Sequence, residues 1–178
     1  IMACLVDSGY TLGCRDSIGG IKKVFIGTVV AGEDISNYTI AADDITATDS
    51  AIAYYTFEQE MEAASFSQNG TYSTENGTVF FDQQLTLIFH KNSTALRNQL
   101  LVLSQANVRV IVQDQRDQFW LMGISNGARA TAGSMATGKS FGDLNGTTIT
   151  LQSKEAVPAY RIDAANKAAM VTAGFTIN

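Results

Sequence analysis

An Asn-Gly dipeptide at positions 76 and 77 divides a long run of strand-forming residues, and no other feature of the sequence constrains the fold as strongly. Residues 62–92 read EAASFSQNGTYSTENGTVFFDQQLTLIFHKN. Asn-Gly is typical of a two-residue type I′ turn, because both central residues of that turn need a positive φ. The pattern predicts a β-hairpin whose arms are longer than the roughly five or six residues of an ordinary strand.

The two faces of this hairpin are predicted to differ in polarity. A turn at residues 76–77 places Phe66 opposite Leu87 and Thr74 opposite Val79. Side chains alternate between faces with a period of two residues. The apolar face then carries Phe66, Leu85, Leu87 and Phe89, and the polar face carries Ser65, Ser67, Gln84 and Thr86. A slip of one residue would exchange the faces, so the pattern favours this register.

Arms of this length overhang a small domain, and an overhanging ribbon needs a surface to pack against. A neighbouring subunit supplies such a surface in many assemblies. We therefore expect the tip of the hairpin to lie at a subunit boundary. The residues of the tip are Thr71, Tyr72, Ser73, Thr74, Glu75, Asn76, Gly77 and Thr78.

The rest of the chain predicts further strands and one helix. Strand patterns cover residues 21–30, 38–41, 51–57, 108–114, 118–124 and 147–151. Residues 93–105 predict a helix, with Ser93 as its N-cap and Leu96, Leu100 and Leu103 as a buried apolar stripe. Many strands and one helix indicate a mainly β fold, an antiparallel sandwich or barrel with the helix packed on it and the long hairpin protruding.

Three segments carry weaker patterns, and none of them indicates a second domain. Residues 31–50 are predicted to be a polar, acidic loop around the short strand, and residues 125–140 a loop of small residues. Residues 161–172 fit either a helix or part of an extended arm. We predict one domain over residues 1–178, with N-terminal and C-terminal arms. The roles of residues 31–50 and 158–178 stay open.

The composition argues against several classes of function. The net charge is −5, which disfavours a surface that grips nucleic-acid phosphates, although a conduit that lets nucleic acid pass remains compatible. Charged residues make up 16% of the chain, against about 25% in an average protein, as expected where much surface is buried between copies. No apolar run is long enough to span a membrane, and the first residues do not resemble a secretory signal.

Few residues of the chain are suited to metal binding or catalysis. Cys4 and Cys14 are expected to be reduced thiols, with a local bridge as the alternative. His90 is the only histidine, and no sequence feature pairs it with a nucleophile. The neighbouring Asp43 and Asp44 have no evident basic or metal-ligating partner. We therefore predict no catalytic, cofactor-binding or metal-binding residues, and no enzymatic activity.

One motif matches a nucleotide-binding pattern letter for letter. Residues 133–140 read GSMATGKS, the phosphate-loop pattern of a glycine, four residues, then Gly-Lys-Ser. The pattern works only between a buried strand and a helix, because backbone N–H groups at the helix start hold the phosphates. The flanking sequences SNGARATA and FGDLNGTTITL fit neither element. A flexible surface loop is the favoured interpretation, and a nucleotide hydrolase the alternative from another class.

The order of these features resembles a known family. DSIGGIKKVFI, the long hairpin, LRNQLLVL, VRVIVQDQRDQFWLMG and NGTTITLQSKE follow one another over residues 15–157. This order is similar to that of tail tube proteins of tailed bacteriophages, particularly phages of Bacteroidetes. The resemblance implies a β sandwich subunit with one outer helix. It also implies a virion structural protein, assembled in the host cytoplasm, that forms stacked rings, usually hexameric.

The resemblance also implies partners. Copies of the chain, other tail proteins and DNA in transit, without specific binding, are the expected partners. The strands of neighbouring copies would join into one inner barrel, and hairpins and terminal arms would contact adjacent rings. The polar hairpin face, with Ser65, Ser67, Gln84 and Thr86, would then face the lumen. Close alternatives are another virion ring, such as a tail terminator or hub, and the tube of a bacterial injection device; a separate β binding module is a further alternative.

Overall fold

A computed structural model describes residues 8–178 and contains two β-sheets with one main helix packed beside them. The strands are β1 (Ile21–Thr28), β2 (Tyr38–Ala41), β3 (Asp44–Thr48), β4 (Ala53–Glu58), β5 (Ser65–Ser73), β6 (Thr78–His90), β7 (Val108–Asp114), β8 (Phe119–Met122), β9 (Arg129–Ala136), β10 (Gly146–Glu155), β11 (Tyr160–Ile162) and β12 (Thr176–Ile177). The helices are α1 (Thr94–Gln105) and the short α2 (Lys167–Thr172). The fold is mainly β, as predicted.

The larger sheet curls into a half-barrel, and the smaller sheet packs on it. The order of the larger sheet is β12-β4-β1-β7-β8-β11-β3-β2, and that of the smaller sheet is β5-β6-β10-β9. Neighbouring strands are antiparallel except for two pairs, β11 with β3 and β12 with β4. The predicted hairpin of β7 and β8 is present in the larger sheet.

The central strands β1 and β7 are buried on both faces. Their alternate side chains enter two separate cores. Val24, Ile26, Val110 and Val112 pack between the two sheets, against Leu85, Leu87, Ile149 and Leu151 of the smaller sheet. Phe25 and Ile111 point into the curl of the larger sheet, where they join the second core, which includes Phe119, Met170 and Phe175. Side chains of the same chain therefore fill the space inside the curl of the larger sheet.

The long hairpin is present, but its turn differs from the prediction. Four residues, 74–77, connect β5 to β6, and Gly77 takes the positive φ, at 62°. Phe66 pairs with Leu85 rather than Leu87, so the register lies two residues from the predicted one. Because two residues is one full period of a strand, every side chain keeps its predicted face. Leu85 and Leu87 are buried, as expected.

The helix α1 has the predicted cap and a partly buried stripe. The Ser93 side chain accepts a hydrogen bond from the Leu96 backbone N–H at 3.2 Å. Leu103 is buried, whereas Leu96 and Leu100 are half-buried at the edge of the core. The prediction of a fully buried stripe is therefore wrong for its first two members, because α1 covers only part of the core between the sheets.

Two predictions for the weaker segments are wrong, and the structure decides between the two alternatives for a third segment. Residues 44–48 form β3 rather than a loop, since they pair with β2 across a two-residue turn at Ala42 and Asp43 and with β11 on the other side. Residues 129–136 form β9 beside β10. Of the two alternatives for residues 161–172, the helix is correct for Lys167–Thr172, and the extended arm is wrong. Strands β11 and β12 join the larger sheet, and Met170 and Phe175 are buried. Residues 8–20 are exposed, and Cys4 of the predicted alternative bridge lies outside the described residues.

A buried polar network lies beside the second core. Arg109 is fully buried, and its Nη1 donates to Glu33 Oε2 at 3.3 Å and to Tyr38 Oη at 3.0 Å. The other carboxylate oxygen of Glu33 accepts from the Ala51 backbone N–H at 2.7 Å. Tyr38 and Tyr54 hydroxyls lie 3.3 Å apart, and burial raises the pKa of Tyr54 well above its usual value. Part of the segment predicted to be a solvated acidic loop is thus tied to the core.

We expect Leu103→Ala to lower the free energy of unfolding by roughly 2–5 kcal/mol, the usual cost of truncating a buried leucine. Leu100→Ala should cost less, because its side chain is only half-buried. Leu101→Ala, at a position 52% exposed, serves as the control and should change stability by no more than about 0.5 kcal/mol. Urea unfolding of the three variants checks the ranking, and equal losses would contradict the assignment of the buried face.

We expect Arg109→Met to lower the free energy of unfolding by roughly 3–5 kcal/mol, because it leaves the Glu33 carboxylate buried without its cation. The double variant Arg109→Met/Glu33→Gln should recover most of that loss, since a neutral amide can still accept from Ala51. Urea unfolding of the wild type, both single variants and the double variant gives the coupling. Additive losses would show that the two side chains do not stabilise one another.

Candidate functional site

The four predicted lumen-facing residues lie together on one face of the smaller sheet. Ser65 pairs with Thr86, and Ser67 pairs with Gln84, in adjacent rows across β5 and β6. Strand β10 extends both rows, with Thr150 beside Thr86 and Gln152 beside Gln84. These two rows therefore form a patch of hydroxyls and amides, and Phe80 and Ile88 lie on the same face on either side of it. The residues of β10 were missing from the sequence prediction because the pairing of β6 with β10 joins segments more than 50 residues apart.

Charged groups on this polar face are few and of mixed sign. Asp82 and Lys154 are paired across β6 and β10, and Arg129 lies beside Gln152 on β9. The Asp82 carboxylate accepts from Gln152 Nε2 at 2.7 Å and 2.8 Å. The Lys154 ammonium lies 5.7 Å from the centre of the Phe80 ring. A face of this kind offers hydrogen bonds but no basic patch for gripping phosphates.

The hairpin tip extends beyond the rest of the smaller sheet. Strand β10 pairs with β6 only from residue 81 to residue 90, so residues 71–80 have no third strand beside them. Tyr72 and Val79 form a cross-strand pair in this overhang and are 69% and 51% exposed. They continue the face that carries Leu85 and Leu87. The tip therefore presents apolar side chains that nothing in residues 8–178 covers.

Both edges of the smaller sheet have free backbone groups. Within the described residues, β5 pairs only with β6, and β9 pairs only with β10. The two strands are similar in length, with nine and eight residues. Between the long side chains of Arg129 and Met135, the side chains of β9 are small. Free edges of this length are templates for pairing with another strand.

An apolar groove lies at the end of the smaller sheet opposite the hairpin tip. It has a volume of about 530 Å³, and Leu96 and Leu100 of α1 face Met135 of β9 across it. Asn92 fixes the groove, because its amide donates to the Ala136 carbonyl at 3.2 Å and its oxygen accepts from Thr147 Oγ1 at 2.9 Å. This groove is absent from the sequence-based predictions, which place the α1 stripe in the core and assign β9 to a loop.

The phosphate-loop motif does not adopt a phosphate-binding structure. Its first glycine, Gly133, lies within β9, and residues 141–145 lead into β10 rather than a helix. The backbone N–H groups of Lys139 and Ser140 donate to Asp143 Oδ2 at 2.9 Å and 2.8 Å. These two bonds lower the pKa of Asp143. The position that a phosphate would need at these two amides is therefore occupied by a carboxylate of the same chain.

The remaining candidate residues do not form a catalytic group. His90 is exposed at the end of β6. Asp43 lies in the turn between β2 and β3 with a φ of 65°, and Asp44 binds Arg161, whose guanidinium holds the pKa of Asp44 below its usual value. Residues 8–178 contain no cluster of three or more His, Cys, Asp or Glu side chains suited to a metal ion. No helix in that range is both long and apolar enough to cross a membrane.

Comparison with known proteins adds no family assignment. No protein-family model matches the chain, and no curated protein is significantly similar to it.

We expect the wild-type chain to have no measurable affinity for ATP, and Lys139→Ala to leave folding and any assembly unchanged. The physical reason is that Asp143 already accepts from the amides of Lys139 and Ser140. Calorimetric titration with Mg-ATP checks this expectation. Saturable binding to the wild type that Lys139→Ala abolishes would contradict it.

Proposed function

We propose that this chain is a structural subunit of a bacteriophage tail tube, which assembles into stacked rings and forms a conduit for DNA. The observation that carries the proposal is the smaller sheet, which is packed on the core by one face, polar on the other and unpaired at both edges within residues 8–178. A strand edge of this length needs a cover, and pairing with a neighbouring copy provides one.

The strand directions in the smaller sheet are suited to ring closure. The order β5-β6-β10-β9 alternates in direction at every step, so the two edge strands run in opposite directions. If β9 of one copy lies beside β5 of the next in a ring, that pair is antiparallel as well. Because each copy contributes an even number of strands, the alternation is kept around a ring of any number of copies. The resulting barrel would have no free edges.

The polar face supports a conduit rather than a binding surface. If the apolar face packs on the core, the polar face with Ser65, Ser67, Gln84 and Thr86 lines the inside of the barrel. Hydroxyl and amide groups interact with water and do not concentrate DNA as a row of lysines would. The charged side chains on this face belong to Asp82, Lys154 and Arg129, so only one positive charge per copy is left unbalanced. DNA could pass such a wall without being held at one position.

Negative-stain microscopy of the purified wild-type chain tests the proposed function. The proposal requires hollow tubes of constant width at a concentration high enough for assembly. Separate rings that never stack would favour a terminator or hub. A chain that stays monomeric at all concentrations would contradict the proposal.

We expect a shortened hairpin to keep the fold and lose tube growth. The variant lacks two cross-strand pairs, Tyr72 with Val79 and Ser73 with Thr78, and keeps the turn at residues 74–77. Every remaining side chain stays on its original face of the hairpin, because two residues are removed from each strand. The deleted residues lie beyond β10, so the core contacts of Leu85 and Leu87 are unaffected. Circular dichroism should show an unchanged fold, and microscopy should show rings or monomers in place of tubes.

The matched control replaces Ser73 and Thr78 by alanine, which keeps the length of the hairpin, and we expect it to form normal tubes. Tubes of normal length from the shortened variant would mean that the tip takes no part in stacking. Unfolding of the shortened variant would mean that the tip packs on its own domain.

A further inference from the structure

We propose that the apolar groove between α1 and the end of the smaller sheet is the receptor for the hairpin tip of a second copy of this chain. The inference rests on the proposed function and identifies the two surfaces that join one ring to the next. The groove is lined by Leu96, Leu100 and Met135, and the tip carries Tyr72 and Val79.

The two surfaces lie at opposite ends of the same sheet. Strand β6 begins at Thr78, directly after the turn, and ends at His90, two residues before Asn92 in the wall of the groove. Thirteen residues of extended chain span roughly 40 Å. Copies stacked in one orientation therefore bring the tip of one copy to the groove end of the next. A contact between two different surfaces repeats without closing and builds a filament.

The apolar side chains of the tip point in the direction that this contact requires. Tyr72 and Val79 belong to the face of the hairpin that carries Leu85 and Leu87. At the other end of the sheet the corresponding face is formed by Thr147 paired with Met135, and α1 stands beside it. A tip that continues the line of the sheet would therefore place its apolar face toward Leu96 and Leu100. The face that covers the core within one copy would contact α1 of the next.

Charge favours the same pairing. Glu75 lies in the turn of the tip, and Arg97 lines the groove. Within residues 8–178 neither of them takes part in a salt bridge. The surrounding surface is of mixed sign, because Lys91 lies near Glu58 and Glu60 and Lys139 lies beside Asp143, so the charge complementarity rests on Glu75 and Arg97. Opposite charges at an interface guide association and select one register of the contact.

The shape of the groove is already present in a single copy. Asn92 links the start of α1 to both β9 and β10 through hydrogen bonds to Ala136, Asn145 and Thr147. Gly146 lies so close to the Phe89 carbonyl that a side chain at position 146 would collide with it. The glycine therefore allows β10 to approach β6 closely at the base of the groove. A receptor that is held in place loses little conformational freedom when the tip enters.

A charge exchange tests the proposed contact. We expect Glu75→Lys and Arg97→Glu each to raise the concentration needed for tube growth by roughly tenfold or more, because each brings like charges together. The double variant Glu75→Lys/Arg97→Glu should form tubes again near the wild-type concentration. Asp49→Lys, an exposed charge reversal after β3 in the larger sheet, is the matched control and should behave as wild type.

The outcomes separate this inference from the proposed function. If both single variants form tubes as the wild type does, the groove is not the receptor, and the proposed function stands. If each single variant fails and the double variant does not recover, the pairing of Glu75 with Arg97 is refuted. If the wild type forms no tubes, the proposed function fails and this inference fails with it.

A cross-link provides a second test in a Cys4→Ser/Cys14→Ser background. We expect a mixture of Val79→Cys and Met135→Cys chains to form disulfide-linked dimers on oxidation of assembled tubes, and neither variant alone to do so. A mixture of Tyr55→Cys and Met135→Cys chains, in which Tyr55 is exposed on β4 of the larger sheet, is the control. Tubes of normal length without the Val79–Met135 cross-link would overturn the contact. A tube repeat well above roughly 40 Å would overturn it as well, because the hairpin could not reach the groove.

Discussion

The burial of β1 and β7 on both faces is the constraint on which the rest of the structure depends. Each of these strands sends alternate side chains into two cores, so neither can shift its register without disturbing both. One face supports the smaller sheet, and the other is covered by the curl of the larger sheet and the C-terminal segment. The smaller sheet is consequently held by one face alone. Nothing in residues 8–178 covers its second face, pairs with its two edges or packs on the tip of its hairpin.

The second core combines this apolar packing with a buried ion pair. Arg109 belongs to β7, and its partner Glu33 lies in the connection between β1 and β2. The carboxylate also accepts from the Ala51 amide just before β4, so one polar group joins three separate parts of the chain. Apolar contacts alone would hold these loops with little directional preference. The buried charges require one arrangement, because any other leaves a charge without a partner.

Local patterns were sufficient for most elements but not for contacts between distant parts of the chain. Residues 38–41, 93–105 and 108–114 were predicted correctly, since periodicity and a serine cap determine them. The hairpin faces were correct despite a wrong turn, because the error was one full strand period. Strand β9 has no alternation of its own and is a strand because β10 lies beside it. Strand β3 pairs with β2 across a turn at Ala42 and Asp43, where the glycine that usually indicates such a turn is missing. The groove exists only once α1, β9 and β10 are assembled.

The carboxylate of Asp143 has a consequence for how sequence motifs are interpreted. It is tethered three residues beyond the last amide that it binds, so its effective concentration at those amides is far above that of any phosphate free in solution. An acidic residue at this spacing therefore acts as a built-in competitor. The same motif without the aspartate would leave the amides of Lys139 and Ser140 open to an anion. Searches for phosphate loops could use a carboxylate at this position, together with the absence of a following helix, to discard false matches.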